Sequence, residues 1–512
     1  MSDSASPSTV AELLDSFTHA TSDRLDEEFL RLAGALWRDG DLTEHAEPAT
    51  PTLIARVEQV DDDRKGYLIT LLGLLAEAEY PATGGPVTTA VRGGLDGYLN
   101  LLSRCGNGDP LTFALLYLLS HLPEDRDRIL AAAEGLALEP DDQTRLDRCL
   151  AALDTGDVVL GRVWPSPWAW SLNDSQREFD QEWIKGLSPE QITATWHSDT
   201  RTILAYSGAK ALWAVRNAAT PTAVTDTSQH SDPQPSTPDD LTSDVYAEHE
   251  AALRCPTCHG ALDFQPAAAS CATCAVDYPI AHGVLDFLAV GGETDSKDDV
   301  LQNATKMQGI GYYYEAVLRP AFLRVMASNW GGLVAPTDED SYLAAHLSEV
   351  DGPVLDLAAG AGRWTAVVAE TVGTEQVIAL DVITPMLVGL RGRLPKLSVV
   401  RGSALSLPFA DASLGAVNCW NALQAFPDPE QAVAEVGRCL RPGGVLTLLT
   451  MRWGSDRIYR YFQHSHVFPG SPEGLELFEV DEVKAWLDAA GLAIRHESGP
   501  GTFVFITAER TG

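Results

Sequence analysis

Along the first 150 residues, apolar positions recur at intervals of three and four, as in Glu27-Glu28-Phe29-Leu30-Arg31-Leu32-Ala33-Gly34-Ala35-Leu36 and Gly66-Tyr67-Leu68-Ile69-Thr70-Leu71-Leu72-Gly73-Leu74-Leu75. That spacing puts the apolar side chains on one helical face. Breaks at Asp39-Gly40-Asp41, Gly84-Gly85-Pro86, Leu122-Pro123-Glu124-Asp125 and Glu139-Pro140-Asp141-Asp142 divide the stretch into separate helices, and Pro110 to Leu136 predicts a helical hairpin. The pattern changes in the last third. Short apolar runs at Val354–Leu357, Val377–Leu380, Leu397–Val400, Ala416–Cys419 and Val445–Leu449 predict strands, alternating with helical segments around 365–371 and 431–440. Alternating strands and helices predict an α/β domain.

The helical part resembles HEAT-type repeats, and an irregular bundle stands beside that reading because no fixed repeat length emerges. Between Val158 and Val215 the chain carries Trp164, Trp168, Trp170, Trp183, Trp196 and Trp213, large rings that require burial in a core or docking surface, or that contribute to a substrate site. Thr220 to Asp244 is rich in Ser, Thr, Asp and Pro and reads as a flexible linker. The expected organisation is an α-helical domain over 1–218, a linker over 219–246, a cysteine-bearing element over 247–291 and an α/β domain over 300–512. A chain of 512 residues exceeds what one hydrophobic core supports, so several domains are expected.

Charge narrows the partners. Thirty-six basic against seventy-two acidic side chains leave a net charge of −36, which repels a phosphate backbone and disfavours nucleic acid as a partner. No apolar run approaches the length that spans a bilayer, and the first residues lack the basic and apolar parts of a secretion signal, so a cytoplasmic location without membrane association is expected.

Four of the eight cysteines fall in one twenty-residue stretch, as Cys255-Pro256-Thr257-Cys258 and Cys271-Ala272-Thr273-Cys274 with twelve residues between the pairs. Two such pairs can face each other around a tetrahedral ion, and Zn²⁺ suits four thiolates. A site closed by four sulfurs leaves no coordination position for water or substrate, so its expected role is structural, with His259 and His282 as bystanders. The segment from Cys271 through Tyr278-Pro279-Ile280 to Gly283-Val284-Leu285-Asp286-Phe287-Leu288 resembles the zinc ribbon that precedes some bacterial methyltransferases. It is also similar to the zinc-ribbon activator subunit of eukaryotic tRNA and protein methyltransferases.

Val354-Leu355-Asp356-Leu357-Ala358-Ala359-Gly360-Ala361-Gly362 is an apolar strand running into a turn of small residues, where backbone can approach a ligand closely. The next strand ends in Asp381, twenty-five residues beyond Asp356, and an acid there can hold ribose hydroxyls. Together with Leu407-Pro408-Phe409-Ala410-Asp411-Ala412-Ser413, Phe426-Pro427-Asp428-Pro429 and Arg441-Pro442-Gly443-Gly444, these motifs resemble the ubiquinone/menaquinone C-methyltransferase-like branch of class I S-adenosylmethionine-dependent methyltransferases, over about 160 residues. The resemblance implies a Rossmann-like fold for 300–512 and S-adenosylmethionine as co-substrate. It also implies that Asp356 and the turn with Ala358, Gly360 and Gly362 contact the methionine portion, that Asp381 contacts ribose, and that Ser403 and Ala404 lie beside adenine. Ala358 stands where glycine is common, which ordinary backbone dihedrals accommodate, and Ser403 stands where an aspartate usually meets the adenine amino group.

Asn421 and Gln424 follow the fourth strand, where sulfonium and acceptor meet or where they cap a helix. Gly311-Tyr312-Tyr313-Tyr314-Glu315 opens a helix that covers the cofactor in similar enzymes, and Tyr314 is a candidate contact. The segment Arg452 to His466 combines basic and aromatic residues where similar enzymes recognise acceptors; His464 and His466 are candidate bases, and Arg452, Arg457 and Arg460 candidate partners for an anionic acceptor. The expected partners are a small-molecule or peptide acceptor, in specialised metabolism, and a protein bound by the N-terminal helices. An RNA methyltransferase, or a non-catalytic scaffold that retains the nucleoside pocket, is the alternative.

Overall fold

In the computed structural model the described residues are 9–82, 84–155, 174, 177, 178, 181, 182, 185–222, 243–289, 311, 314–466 and 475–512. They form two units, Met1–Ala223 with Gly454–Leu475, and Val224–Trp453 with Glu476–Gly512. The described residues 454–466 therefore fall with the N-terminal helices, whereas the sequence pattern predicts one continuous domain over 300–512.

The first unit is built on helices, with one two-residue ladder, β1 (Trp37–Arg38) against β2 (Asp41–Leu42). Local signals start several of the helices: Thr9 and Glu12 form a capping box, as do Ser188 and Gln191, and Asp61 accepts from the Arg64 N–H at 3.0 Å. The helix Asp62–Glu77 is buried from Gly66 onward, so its apolar residues surround it rather than forming a stripe, and it is the centre of the unit. The stretch predicted as a hairpin holds two helices, Pro110–Leu119 and Arg126–Glu134, but the second packs on Leu95–Leu102 and Pro140–Leu150 more than on the first. Trp196 is buried in the long helix Pro189–Asn217 with the Arg148 guanidinium 3.3 Å over its ring, a core position. Trp164, Trp168, Trp170 and Trp183, and the linker residues 223–242, lie outside the described residues.

The apolar face of the helix Arg457–His464 explains why residues 454–466 belong here. Phe462 meets Tyr117 edge-on at 5.8 Å and fills the space beside Gly208, where a Cβ would lie 2.4 Å from its ring. Tyr461 meets Trp37 at 5.1 Å and donates to Glu77 at 3.1 Å. Asp456 caps the helix through the Ile458 and Tyr459 N–H groups while accepting from Arg216 at 2.8 Å.

The second unit is an eleven-stranded sheet. Its strands are β3 (Leu262–Gln265), β4 (Ala268–Cys271), β5 (Asp277–Ala281), β6 (Val284–Asp286), β7 (Val354–Leu357), β8 (Val377–Asp381), β9 (Ser398–Arg401), β10 (Leu414–Trp420), β11 (Leu440–Met451), β12 (Leu492–Ser498) and β13 (Phe503–Arg510). They lie in the order β12-β13-β11-β10-β7-β8-β9-β6-β5-β4-β3. The five strands expected from the apolar runs are the parallel centre, β9-β8-β7-β10-β11, and β7, β8 and β10 are buried at every residue. β13 runs antiparallel to β11. The cysteine-bearing hairpins, β3 to β6, continue the same sheet through a parallel pairing of β6 with β9. No described helix is long and apolar enough to cross a membrane.

Candidate active site

Strand order reverses at β7, with β8 and β9 on one side and β10 and β11 on the other. In an open α/β sheet, the crevice beyond the carboxyl ends of strands at such a reversal is where ligands bind. The turn 358–362 leaves β7 at that point with Ala358 at φ 59°, Gly360 at φ 54° and Gly362 at φ 89°. A Cβ at Gly360 would meet open space, whereas one at Gly362 would lie 2.8 Å from Leu390. Gly362 is thus needed for packing, whereas a side chain at Gly360 would point into open space. Alanine would be freely tolerated at 358 only with ordinary dihedrals, and the left-handed backbone found there costs about 1 kcal/mol relative to glycine.

The turn is tied to the second acid. Gly360 donates its N–H to Asp381 Oδ2 at 2.8 Å and Ile383 donates to Oδ1 at 2.9 Å. Burial raises the Asp381 carboxyl above its ordinary range, and these N–H groups oppose the rise. The next residue, Val382, is 49% exposed, one of two large apolar side chains so open among the described residues. Ser403 accepts from the Leu405 N–H at 3.1 Å, and Ala404 is buried beside it.

Asp356 is only 2% exposed. It accepts from Thr365 Oγ1 and, at 2.8 Å, from Asn418 Nδ2, and Asn418 accepts from Thr447 Oγ1 at 2.9 Å. Asp356, Asn418 and Thr447 are register partners on β7, β10 and β11, so the network runs straight across the sheet. Burial pushes the Asp356 carboxyl up to about 6 against the pull of its two donors. The carboxylate ties the first turn of the helix Arg363–Val372 to β10.

Asn421, just past β10, also has a left-handed backbone, φ 58°. Its N–H donates to the Leu449 carbonyl at 2.8 Å, its carbonyl accepts from Gln424 Nε2 at 2.9 Å, and Gln424 Oε1 accepts from Thr450 at 3.0 Å. The residue is held from both sides, and its Nδ2 donates to Tyr314 Oη at 3.1 Å. Its Oδ1 is buried with no partner among the described residues. The helix-capping alternative falls away, because Asp428 caps the next helix through the Gln431 N–H. Gly311 closes on the turn from above, where a Cβ would come within 2.5 Å of Ala361 Cβ. Tyr312 and Tyr313 lie outside the described residues.

The four cysteines converge. Their Sγ atoms all lie within 4.8 Å of one another, with Cys255–Cys274 at 3.6 Å, Cys258–Cys271 at 3.4 Å and Cys258–Cys274 at 3.6 Å. Four thiolates bound tetrahedrally at about 2.3 Å from an ion are about 3.8 Å apart, so the set fits one metal ion. The two knuckles repeat one backbone pattern: His259 and Ala275 donate to the Cys255 and Cys271 carbonyls at 2.8 and 2.9 Å, and Cys255 and Cys271 donate to Gly260 and Val276. Tyr278 Oη lies 3.0 Å from Cys255 Sγ and can support that thiolate.

Residues 354–444 match the family model described as a methyltransferase domain. A demethylmenaquinone methyltransferase of Thermus thermophilus is 31% identical over 28% of this chain and 76% of its own length. The chain belongs to the S-adenosylmethionine-dependent methyltransferases. An uncharacterized chloroplastic methyltransferase of Arabidopsis thaliana is 31% identical over 39% of this chain, which spans 61% of that relative's length. Among solved structures, an S-adenosylmethionine-dependent methyltransferase from Mesorhizobium loti is 20% identical over 36% of this chain and 98% of its own, with a TM-score of 0.29.

In this methyltransferase, Tyr314, Asn421 and Gln424 are joined by hydrogen bonds, and Asp381 and Gly360 likewise. His464 and His466 lie in the first unit. Burial, with help from Arg145, drops the His466 imidazole to about 4, which makes it a weak proton acceptor. Arg457 pairs with Asp39 and Arg460 donates to the Gly454 carbonyl in the first unit, while Arg452 donates to the Gly501 carbonyl in the second. Sequence reasoning missed Thr365, Asn418 and Thr447. A polar residue inside the apolar run Ala416-Val417-Asn418-Cys419 was the available signal.

Proposed function

We propose that this methyltransferase transfers a methyl group from S-adenosylmethionine to a small-molecule or peptide acceptor in specialised metabolism, with the four cysteines holding a structural zinc ion. The observation that carries the reading is the hydrogen bond from Gly360 to Asp381, which couples the methionine-side turn to the ribose-side carboxylate. Asp381 would hold the ribose hydroxyls, Val382, Ser403 and Ala404 would border the adenine, and the turn 358–362 would cradle the methionine portion. The exposed apolar surface of Val382 and the open space at Gly360 support this assignment.

The cofactor supplies a methyl group on a sulfonium, and displacement at that carbon disperses positive charge. The protein therefore has mainly to align donor with acceptor and exclude water. Tyr314, Asn421 and Gln424 form a rigid hydrogen-bonded wall suited to that alignment, and burial raises the Tyr314 hydroxyl above its ordinary value, keeping it a neutral donor. A general base is required only for an acceptor that must lose a proton. A small acceptor accords with the name of the Thermus relative, and the net charge of −36 disfavours RNA. The N-terminal helical unit, under this reading, recruits the acceptor or a partner protein.

Isothermal titration with S-adenosylmethionine and S-adenosylhomocysteine tests the proposal. One site per chain for both is expected; binding of neither overturns it.

A further inference from the structure

The cysteine-bearing element reaches the adenosyl side of the crevice at two places. At the first, β6 pairs with β9 so that Asp286 stands opposite Arg401. Arg401 binds Asp286 Oδ2 at 3.0 Å and donates from Nε to the Val382 carbonyl at 3.1 Å. Asp381 is also a register partner of Arg401, across β8 and β9. The ion pair therefore ends on the strip of backbone that presents Asp381 and Val382.

At the second place, Ser406 Oγ donates to the carbonyl of Pro256 at 3.1 Å, inside the knuckle Cys255-Pro256-Thr257-Cys258. The Ser406 N–H returns to the Ser403 carbonyl at 3.3 Å, closing the short turn that contains Ala404. Farther along, Arg254 donates to Pro408 and Ala410 to Ala252, both at 2.8 Å. The adenine-side loop is thus sewn to the segment that carries the first cysteine pair.

We infer that Ser406 and Asp286 are positioning residues for the cofactor, through which a metal-clamped cysteine element fixes both backbone strips bordering the adenosine. The inference rests on the cofactor reading above. An ion shared by four thiolates would lock the knuckle and hence the Pro256 carbonyl; without it, that carbonyl is held by backbone hydrogen bonds alone and the Ser403–Ser406 turn is ordered further when the nucleoside binds. Ordering at the moment of binding lowers affinity.

The test is titration calorimetry of S-adenosylhomocysteine against the full chain, with zinc content measured on each sample. Ser406→Ala and Asp286→Asn should each weaken binding by about three- to tenfold, the loss of one hydrogen bond or its charge, while retaining one zinc per chain. Ser406→Thr, which keeps the hydroxyl, should restore the wild-type value. Chelator-treated protein should bind at least about tenfold more weakly and recover when zinc is returned. Unchanged affinity in the two zinc-replete variants, or in the metal-free chain, overturns this inference alone. Failure of the zinc-replete wild type to bind overturns the cofactor reading and this inference with it.

Discussion

The cysteine knuckles and the 358–362 turn both reverse the chain through left-handed residues, yet they present different groups to what they hold. In the knuckles, His259 at φ 54° and Ala275 at φ 55° bend the backbone so that four side-chain sulfurs converge. In the turn, Ala358, Gly360 and Gly362 bend it so that backbone borders the crevice, and a charged group, Asp381, arrives from the neighbouring strand. One site is made of side chains close in sequence and the other of backbone assembled across a sheet. Removing a side chain should therefore destroy the first, while most single changes should only weaken the second.

The largest effect follows at the cysteines. Cys258→Ser should lower bound zinc from one per chain to less than about a tenth, measured by elemental analysis, since a missing thiolate costs several orders of magnitude in affinity; full retention would break the contrast. Next comes Asp381→Ala, expected to weaken S-adenosylhomocysteine binding by about ten- to a hundredfold, because two N–H groups lose their acceptor and, under the proposed reading, so does the ribose.

Asp356 sharpens the comparison through pH. Its carboxyl is raised to about 6 in the folded chain, so the native state holds the proton more tightly than the unfolded state. The associated stability is present below about pH 4 and is lost as pH rises through about 6, roughly 3 kcal/mol in all. Denaturation of Asp356→Asn across that window should show a flatter decline than the wild type; parallel curves would mean that Asp356 does not titrate there. The smallest effect is a gain. Ala358→Gly relieves a left-handed alanine and should stabilise the chain by up to about 1 kcal/mol in urea denaturation, with the same affinity for S-adenosylhomocysteine.

The same contrast decides what could be read in advance. Cysteine spacing announces its chemistry, because thiolate identity and gap length leave few alternatives. Strand periodicity marked the five central strands, and Asp381 was found because it ends one of them. Periodicity says nothing about which polar side chains meet across strands, so the Asp356–Asn418–Thr447 network stayed hidden although each member lay in a recognised strand. It also cannot report backbone dihedrals, so the left-handed conformation of Ala358 is visible only in the fold. The segment after β11 carries aromatic and basic residues that fit an acceptor site and a packing face equally well, and the sequence does not show that Phe462 packs beside Gly208 and Tyr117.

Because β6 lies along β9, the methyltransferase core has no free margin on that side; the outermost strand is β3, four residues long and alternately exposed. β9, by contrast, is buried along most of its length. A chain whose cysteine element has come undone would offer β9's unpaired backbone and apolar side chains to the strands of other molecules. Oxidation or loss of metal at a surface far shorter than the sheet it guards could thus be read out as self-association.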